Sequence, residues 1–401
     1  MDALNAMRGT PGEAPGRLSL RLPSSSGLAT YTIRNAPLEA PRTIGAMNRV
    51  AYAAAHVVVD PLADIDPSSG TAIDWDRTIA FREHLWDLGL GVAEAMDTAQ
   101  RGMGLDWAAA RELIARSQRA ASARGATVAH GAGTDHLVPG PQVSIDAVIA
   151  AYEEQVGYVE AQGGRVILMA SRALARAARS PDDYARVYDR ILGQVRQPVI
   201  IHWLGEMFDP ALAGYWGAAD HMAAMDTALD VINSHASRVD GVKISLLDAG
   251  KEVAMRRRLV PPVRMYTGDD FNYAELIAGD AQGYSHALLG IFDPIAPAAS
   301  LALQQLAAGD RTGYDELLVP TVPLSRHIFA APTRHYKTGV VFLAYLNGFQ
   351  EHFHMLGGQQ SARSIQHLSE LFRLADAARV LRDPERAVRC MRAVLTLAGI
   401  D

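Results

Sequence analysis

The chain has 401 residues, 49% of them hydrophobic, with 38 Lys plus Arg against 44 Asp plus Glu and a formal net charge of -6. That length carries one large core or two modest ones, and the acidic balance excludes nucleic acid or an acidic membrane surface as the main partner. The single cysteine, Cys390, excludes a disulfide framework and a thiolate metal site within one chain; with no signal-like leader and no apolar run of about 18 residues, the expected location is the cytoplasm.

Residues 1–17 are rich in Gly, Pro and Ala with no apolar period, and are expected to be loosely ordered. Leu18-Ser-Leu-Arg-Leu22 and Leu28-Ala-Thr-Tyr-Thr-Ile33 alternate apolar and polar residues around Pro23-Ser-Ser-Ser-Gly27. This predicts a hairpin suited to plugging one end of a barrel. From Arg49 onward, apolar runs of strand length alternate with amphipathic helical stretches about eight times, the pattern of a parallel α/β sheet. The predicted strands are 49–60, 91–98, 126–133, 165–171, 198–205, 239–248, 263–270 and 284–292. The clearest helices run from Asp106 to Arg124, with Asp106 as N-cap, from Ser144 to Gln162, and from Ser180 to Val195, where Ser180-Pro181 supplies an N-cap followed by proline at the first helical position. No G-x-G-x-x-G follows the first strand and no Walker A sequence occurs, which disfavours nucleotide-binding α/β folds. The expected fold is α/β, a (β/α)8 TIM barrel over 46–309. It is preceded by a flexible start and N-terminal β-hairpin over 1–45, and followed by a helical C-terminal region over 310–401 that breaks near Pro332, Gly357-Gly358 and Asp383-Pro384.

Chemistry in such a barrel gathers at the C-terminal ends of the strands. The strand ends deliver His56 to Asp60, then Glu94, Asp97 and Thr98, then His130, Ser171 with Arg172, His202 with Trp203, Lys243 with Ser245, Asp269 with Asp270, and His286. Lys243 stands out because only Lys243, Lys251 and Lys337 are lysine in a chain that otherwise uses arginine for positive charge. It lies in Val239-Asp-Gly-Val-Lys-Ile-Ser-Leu-Leu-Asp248, which reads as a buried strand. Desolvation lowers a lysine pKa from about 10.4, and a neutral amine can form a Schiff base with a carbonyl substrate, which arginine cannot do. The other reading pairs Lys243 with Asp248 or Asp269. His202 is a general acid/base candidate, or a structural histidine bonded to backbone. His130 either touches substrate or holds a turn, and Asp269 and Asp270 either serve the site or cap the next helix. His352-Phe-His354 beside Glu351 has metal-ligand spacing but falls in the helical tail.

The lysine in Gly241-Val-Lys-Ile-Ser245, the Thr267-Gly-Asp-Asp270 that closes strand seven, strand eight ending near Asp293-Pro294, and the tail segment Ala331-Pro-Thr-Arg-His-Tyr-Lys-Thr338 together resemble the N-acetylneuraminate lyase and dihydrodipicolinate synthase family of class I aldolases, over residues 46 to 400. The resemblance implies the barrel with helical tail, an imine between Lys243 and a substrate ketone, lyase or dehydratase chemistry without a cofactor, and a structural role for Lys337. It also implies self-association, here expected as a homodimer or homotetramer. The departures bear on substrate. Where the family binds a keto acid carboxylate with Gly-Thr-Thr or Gly-Thr-Ser, this chain has Met96-Asp-Thr-Ala-Gln-Arg-Gly102 and keeps only Thr98. The strand-five tyrosine falls on His202, which would inherit its proton-transfer role, and the paired tyrosines after strand four fall on Arg172-Ala173. Asp97 repels a carboxylate and accepts hydrogen bonds from a polyol. The expected substrate is therefore a hydroxylated or sugar-derived ketone, held by Asp97, Thr98, His130, Ser171, Arg172, Ser245, Asp269 and Asp270.

Two other readings stand beside this one. Glu94, Asp97, His130, His202 and Asp269 are a donor set for a divalent metal that polarises a carbonyl, as in metal-dependent sugar isomerases and aldolases. The barrel could also bind a sugar or a regulatory partner without catalysis.

Overall fold

The computed structural model describes residues 18–400; the expectation for the first 17 residues falls outside them. Strands β1 (Ser19–Ser24) and β2 (Gly27–Thr32) form the expected antiparallel hairpin, with Ser24 opposite Gly27. Eight parallel strands follow: β3 (Ala51–Ala54), β4 (Gly91–Glu94), β5 (Val128–Ala132), β6 (Arg165–Leu168), β7 (Val199–Leu204), β8 (Val239–Ser245), β9 (Arg264–Thr267) and β10 (His286–Leu289). They close into a barrel in the order β10-β3-β4-β5-β6-β7-β8-β9. Each lies inside its predicted range and is shorter, because the apolar runs continue past the last ladder pair into the loops at the top of the barrel.

The helices between strands begin where short polar side chains satisfy free backbone N–H groups. Asp106 accepts from the N–H of Ala109 to open Trp107–Arg124, and Ser144 accepts from Ala147 to open Ile145–Ala161. Asp220 caps His221–Ser234 within the long segment after β7. Pro181–Leu192 starts after Ser180, but the Ser180 side chain makes no capping bond.

Alternation along the strands sorts side chains between two cores. The outer core joins strands to helices. The inner one fills the lumen with Tyr52, Ala54, Ala93, Met96, Ala129, Ile167, Met169, Ile200, Tyr266 and Leu288. Tyr52 and Tyr266, with ring centroids 6.1 Å apart, occupy the end of the lumen nearest the strand starts. Gly241 leaves room there, since a Cβ on it would lie 2.5 Å from the Tyr266 ring.

The hairpin is not the plug. It packs on the C-terminal helices Ile365–Ala377 and Pro384–Leu397. The Tyr31 hydroxyl donates to Asp376 (2.6 Å), and Arg373 donates to the Pro23 carbonyl (2.7 Å). Asp376 also accepts the N–H groups of Arg34 and Asn35. One buried carboxylate thus ties the entry of the chain to its C-terminal region. That region centres on Tyr336–Leu346, a helix buried along its whole length, as expected of one that is apolar all round. Its first residues reach over the top of the barrel. No helix among the described residues is long and apolar enough to cross a membrane.

Candidate active site

The register of β7 and β8 sets His202 beside Lys243 and Leu204 beside Ser245. Odd positions on β8 and even positions on β7 point inward, so Lys243, Ser245 and His202 share the upper lumen. Asp270 arrives from the turn after β9, where its carboxylate accepts the N–H of Ile291 at 2.9 Å. Asp97 and Thr98 arrive from the loop after β4. With Gly290, Phe208 and Tyr336 these residues line a small cavity over the Lys243 side chain, with room for about one water.

The electrostatics follow from burial. Desolvation pushes the Lys243 pKa below its usual value, partly opposed by the carboxylates of Asp270 and Asp97. Asp270 is pushed up to about 7 by burial, with Lys243 pulling the other way. Both shifts run toward the uncharged forms, a neutral amine beside a protonated carboxyl. Among the described residues Lys243 Nζ has no hydrogen bond or ion pair. The alternative carboxylates are engaged elsewhere: Asp248 caps Ala249–Arg256 and lies 3.3 Å from Lys251, and Asp269 accepts the N–H groups of Phe271 and Asn272. His202 is held neutral, its pKa pushed well down by burial and by Lys243. Its Nε2 lies 3.2 Å from Ser245 Oγ, and its buried Nδ1 has no partner.

Gly268 makes this arrangement possible. A Cβ there would lie 2.2 Å from Ser245 Oγ, and 2.7 Å from both the Ile244 carbonyl oxygen and Lys243 Cε. Two further loops are held in costly backbone conformations, Ala95 at φ 54° just before Asp97 and Leu247 at φ 53° just after Ser245. Positive φ at non-glycine residues costs on the order of 1–3 kcal/mol and collects at functional loops.

The cavity opens past Asp97, His202, Leu204 and Phe208 into a vestibule of about 440 Å³. Its walls carry Arg101 paired with Asp135, Arg172 paired with Asp209, Thr134, and the exposed Arg334. Arg101 is further fixed by Gln155 Oε1 and the carbonyls of Ala95 and Gly131, so it serves as wall rather than as a free cation.

Several expected site residues lie elsewhere. His130 and Glu94, one step out of phase with the lumen residues on β5 and β4, point into the helix layer. His130 Nε2 lies 2.9 Å from Gln118 Oε1, and burial lowers its pKa to about 4. Glu94 forms a buried two-bond pair with Arg82 (2.8 and 2.9 Å). With Asp269 serving as a turn cap, the five donors of the metal reading are not brought together, and no group of three or more His, Cys, Asp or Glu positioned to hold a metal occurs among the described residues. Ser171 is a helix cap: its Oγ accepts from the Leu174 N–H and bonds Thr134. His286 sits at the start of β10, where Nδ1 accepts the Val50 N–H at the opposite mouth of the barrel. His56 is buried against Asp293 (2.8 Å) outside both cavities. His352 and His354 have no such metal cluster around them.

Tyr336 was not among the expected site residues. Its hydroxyl lies 2.8 Å from Thr98 Oγ1, its ring stacks on Phe329 with centroids 4.4 Å apart, and it lines the Lys243 cavity. Lys337, next in sequence, turns away. Its Nζ donates to the Arg334 carbonyl at 3.2 Å, and burial lowers its pKa to about 8, with Asp97 opposing. The signal available was a tyrosine and a lysine opening a strongly apolar helix in the segment Ala331–Thr338.

No curated protein sequence matches the chain. Among solved structures it is similar to the 4-hydroxy-tetrahydrodipicolinate synthase of Methylacidiphilum fumariolicum, at 14% identity over 86% of this chain and 98% of that one, with a TM-score of 0.62. It is also similar to the chloride-inhibited dihydrodipicolinate synthase of Acinetobacter baumannii, complexed with pyruvate, at 16% identity over 82% and 98%, with a TM-score of 0.61. At such identities the likeness is one of fold: a closed (β/α)8 barrel with a helical C-terminal region. The model of the family described as protein of unknown function (DUF993) matches residues 20–400, so the chain belongs to that family, whose member here has the dihydrodipicolinate synthase fold.

Proposed function

We propose that the protein is a class I lyase or dehydratase that forms an imine between Lys243 and a hydroxylated or sugar-derived ketone. The observation that carries this reading is a buried, unpaired lysine amine sharing a small cavity with the Asp270 carboxyl, which burial pushes up to about 7, and opening on a polar vestibule. The neutral amine adds to the ketone carbon, and one amine proton moves to the oxygen. Asp270, its pKa raised by burial so that it can hold a proton near neutral pH, donates the second proton, and water leaves as the C=N bond forms. The Asp270 carboxylate then faces the iminium it helped create. Neutral His202 can take a proton from the hydroxyl β to the imine, so that the carbon–carbon bond breaks into an enamine and an aldehyde. If it takes the α-proton instead, the enamine forms, and the protonated imidazole returns that proton to the β-hydroxyl, which leaves as water as the C–O bond breaks and a conjugated iminium remains.

The vestibule supports the substrate class. Its guanidinium–carboxylate pairs offer fixed donors and acceptors of the kind that bind hydroxyls, and Asp97 stands at its neck. Such a site takes a small carbonyl compound and needs no cofactor, the electron sink being the iminium.

Borohydride trapping with intact and peptide mass spectrometry tests this, run with ketoses, keto sugars and pyruvate, and with Lys243→Ala as control. A hydroxylated ketone should leave a reduced adduct on the Lys243 peptide, absent from the control. No adduct from any donor would end the imine reading. Efficient labelling by pyruvate at low concentration would leave the imine standing and overturn the substrate class.

A further inference from the structure

Three arginines and three aspartates line the vestibule over the Lys243 cavity: Arg101, Arg172, Arg334, Asp97, Asp135 and Asp209. Their hydrogen bonds sort them by position. Asp135 is used up inside the wall, where it accepts from Arg101 and from Gln155 Nε2 (2.9 Å). Asp209 accepts the Ala211 N–H on Oδ1 (3.0 Å) and Arg172 Nε on Oδ2. The Asp97 carboxylate has no hydrogen-bond partner among the described residues. It stands at the neck, with Lys243 and Lys337 as its charged neighbours.

What remains open on the outer wall is cationic. Asp209 takes only Nε of Arg172. Nη1 and Nη2 have no partner among the described residues, and neither is sealed from solvent. The guanidinium lies against Gly102, whose φ is 69° and where a Cβ would stand 2.7 Å from Nη1 and 3.4 Å from Nη2, so the loop after β4 leaves the fork its seat. Arg334, exposed on the same vestibule, has no carboxylate partner either; its Nε lies 3.4 Å from His335 Nε2. Lys337 Nζ stands behind it on the Arg334 carbonyl. A planar fork with both amino groups free matches two oxygens of a carboxylate or a phosphate, whereas a neutral hydroxyl offers it only one oxygen. The vestibule is therefore polarised, with a free acid at its neck and free guanidinium groups on its outer wall.

We infer that the substrate carries an oxyanion, a phosphate or a carboxylate, at the end remote from its ketone, held by the Arg172 fork with Arg334 as the second cation. The hydroxyls between ketone and anion then pass Asp97. This rests on the imine reading for the place of the ketone at Lys243, and it narrows the hydroxylated ketone of that reading to an anionic one.

The test uses the full chain and isothermal titration calorimetry with sorbitol phosphorylated on one terminal hydroxyl, gluconate, and sorbitol. None of the three has a ketone, so their binding needs no imine. The phosphorylated polyol or gluconate should bind roughly tenfold or more tighter than sorbitol, and the tighter of the two names the anion. Arg172→Gln should remove most of that preference. Arg334→Gln, at an exposed position that folding does not depend on, should remove part of it. In borohydride trapping, fructose bearing the preferred anion on its far end should label Lys243 faster than fructose by a similar factor. Failure of both anions to bind more tightly than sorbitol would overturn the proposal, as would a preference unchanged in both variants. An anion preference that is lost in the variants, with no labelling of Lys243 by any ketone, would uphold the anion site and end the imine reading instead.

Discussion

Replacing Gly268 by alanine adds one methyl group at the point where the lysine strand and the Asp270 turn come closest. Gly268 has an ordinary φ, so the backbone itself tolerates alanine, and restricting the unfolded chain should stabilise the protein by about 0.4–1 kcal/mol. Against that, the new Cβ would stand 2.2 Å from Ser245 Oγ and 2.7 Å from Lys243 Cε and the Ile244 carbonyl oxygen. The serine hydroxyl can rotate and the lysine chain can bend, but the carbonyl belongs to β8 and accepts the Gly268 N–H at 2.9 Å, so strand and turn must separate. Overpacking of this kind costs about 1–3 kcal/mol. The net expectation is a loss of roughly 0.5–2 kcal/mol, read as a lower urea midpoint, with Lys243 displaced from its position over Asp270. Because a misplacement near 1 Å costs on the order of 10²-fold in rate, borohydride labelling of Lys243 should slow far more than the stability change alone would cause. Gly157→Ala is the matched control. That glycine lies in Ile145–Ala161, where a Cβ meets nothing within 4 Å, and alanine there should stabilise by about 0.5–1 kcal/mol with labelling unchanged. If Gly268→Ala matched the control in both readouts, the close approach would have no bearing on the lysine.

Tyr336→Phe keeps the ring stacked on Phe329 and removes only the hydroxyl beside Thr98. Imine trapping should persist while turnover falls by up to about 10²-fold, the order of cost of a small misplacement, as Thr98 loses the partner that holds it at the cavity wall; unchanged turnover would make the tyrosine a packing residue. Glu252 gives a pH signature independent of the site. Burial raises its pKa from 4.5 to about 8, against hydrogen bonds from Ser285 (2.7 Å) and Thr267 (2.9 Å). Because the folded state holds the proton more tightly than the unfolded chain, this contribution to stability is complete below about pH 4.5 and is lost as pH rises toward 8. Urea midpoints measured across that window should fall for the parent protein and fall less for Glu252→Gln; parallel slopes would mean that Glu252 is ionised in the folded state.

The barrel was legible because every strand announces itself as an apolar run, and the cap Asp106 marks where a helix restarts. The direction of each side chain was harder to read. In an all-parallel barrel both faces of a strand are apolar, so composition does not say which alternate set faces the lumen, and a single-step error in phase moved Glu94 and His130 from the helix layer into the expected site. Lys243 escaped this because its register partner His202, the Asp270 turn and Gly268 all converge on it. The residue missed, Tyr336, comes from the C-terminal region, where no rule about strand ends applies; its approach to Thr98 depends on how that region docks on the loop after β4. That docking is held by Gln100, which donates to the Leu356 carbonyl at 2.9 Å and accepts the Leu356 N–H at 3.2 Å. The barrel therefore supplies the amine, the carboxyl and the imidazole of the cavity, and the C-terminal region supplies its phenol. Since Phe329 and Tyr336 both close over Gly290, loosening the C-terminal region from the β4 loop would open the cavity over Lys243 without moving any of the three groups that the barrel holds.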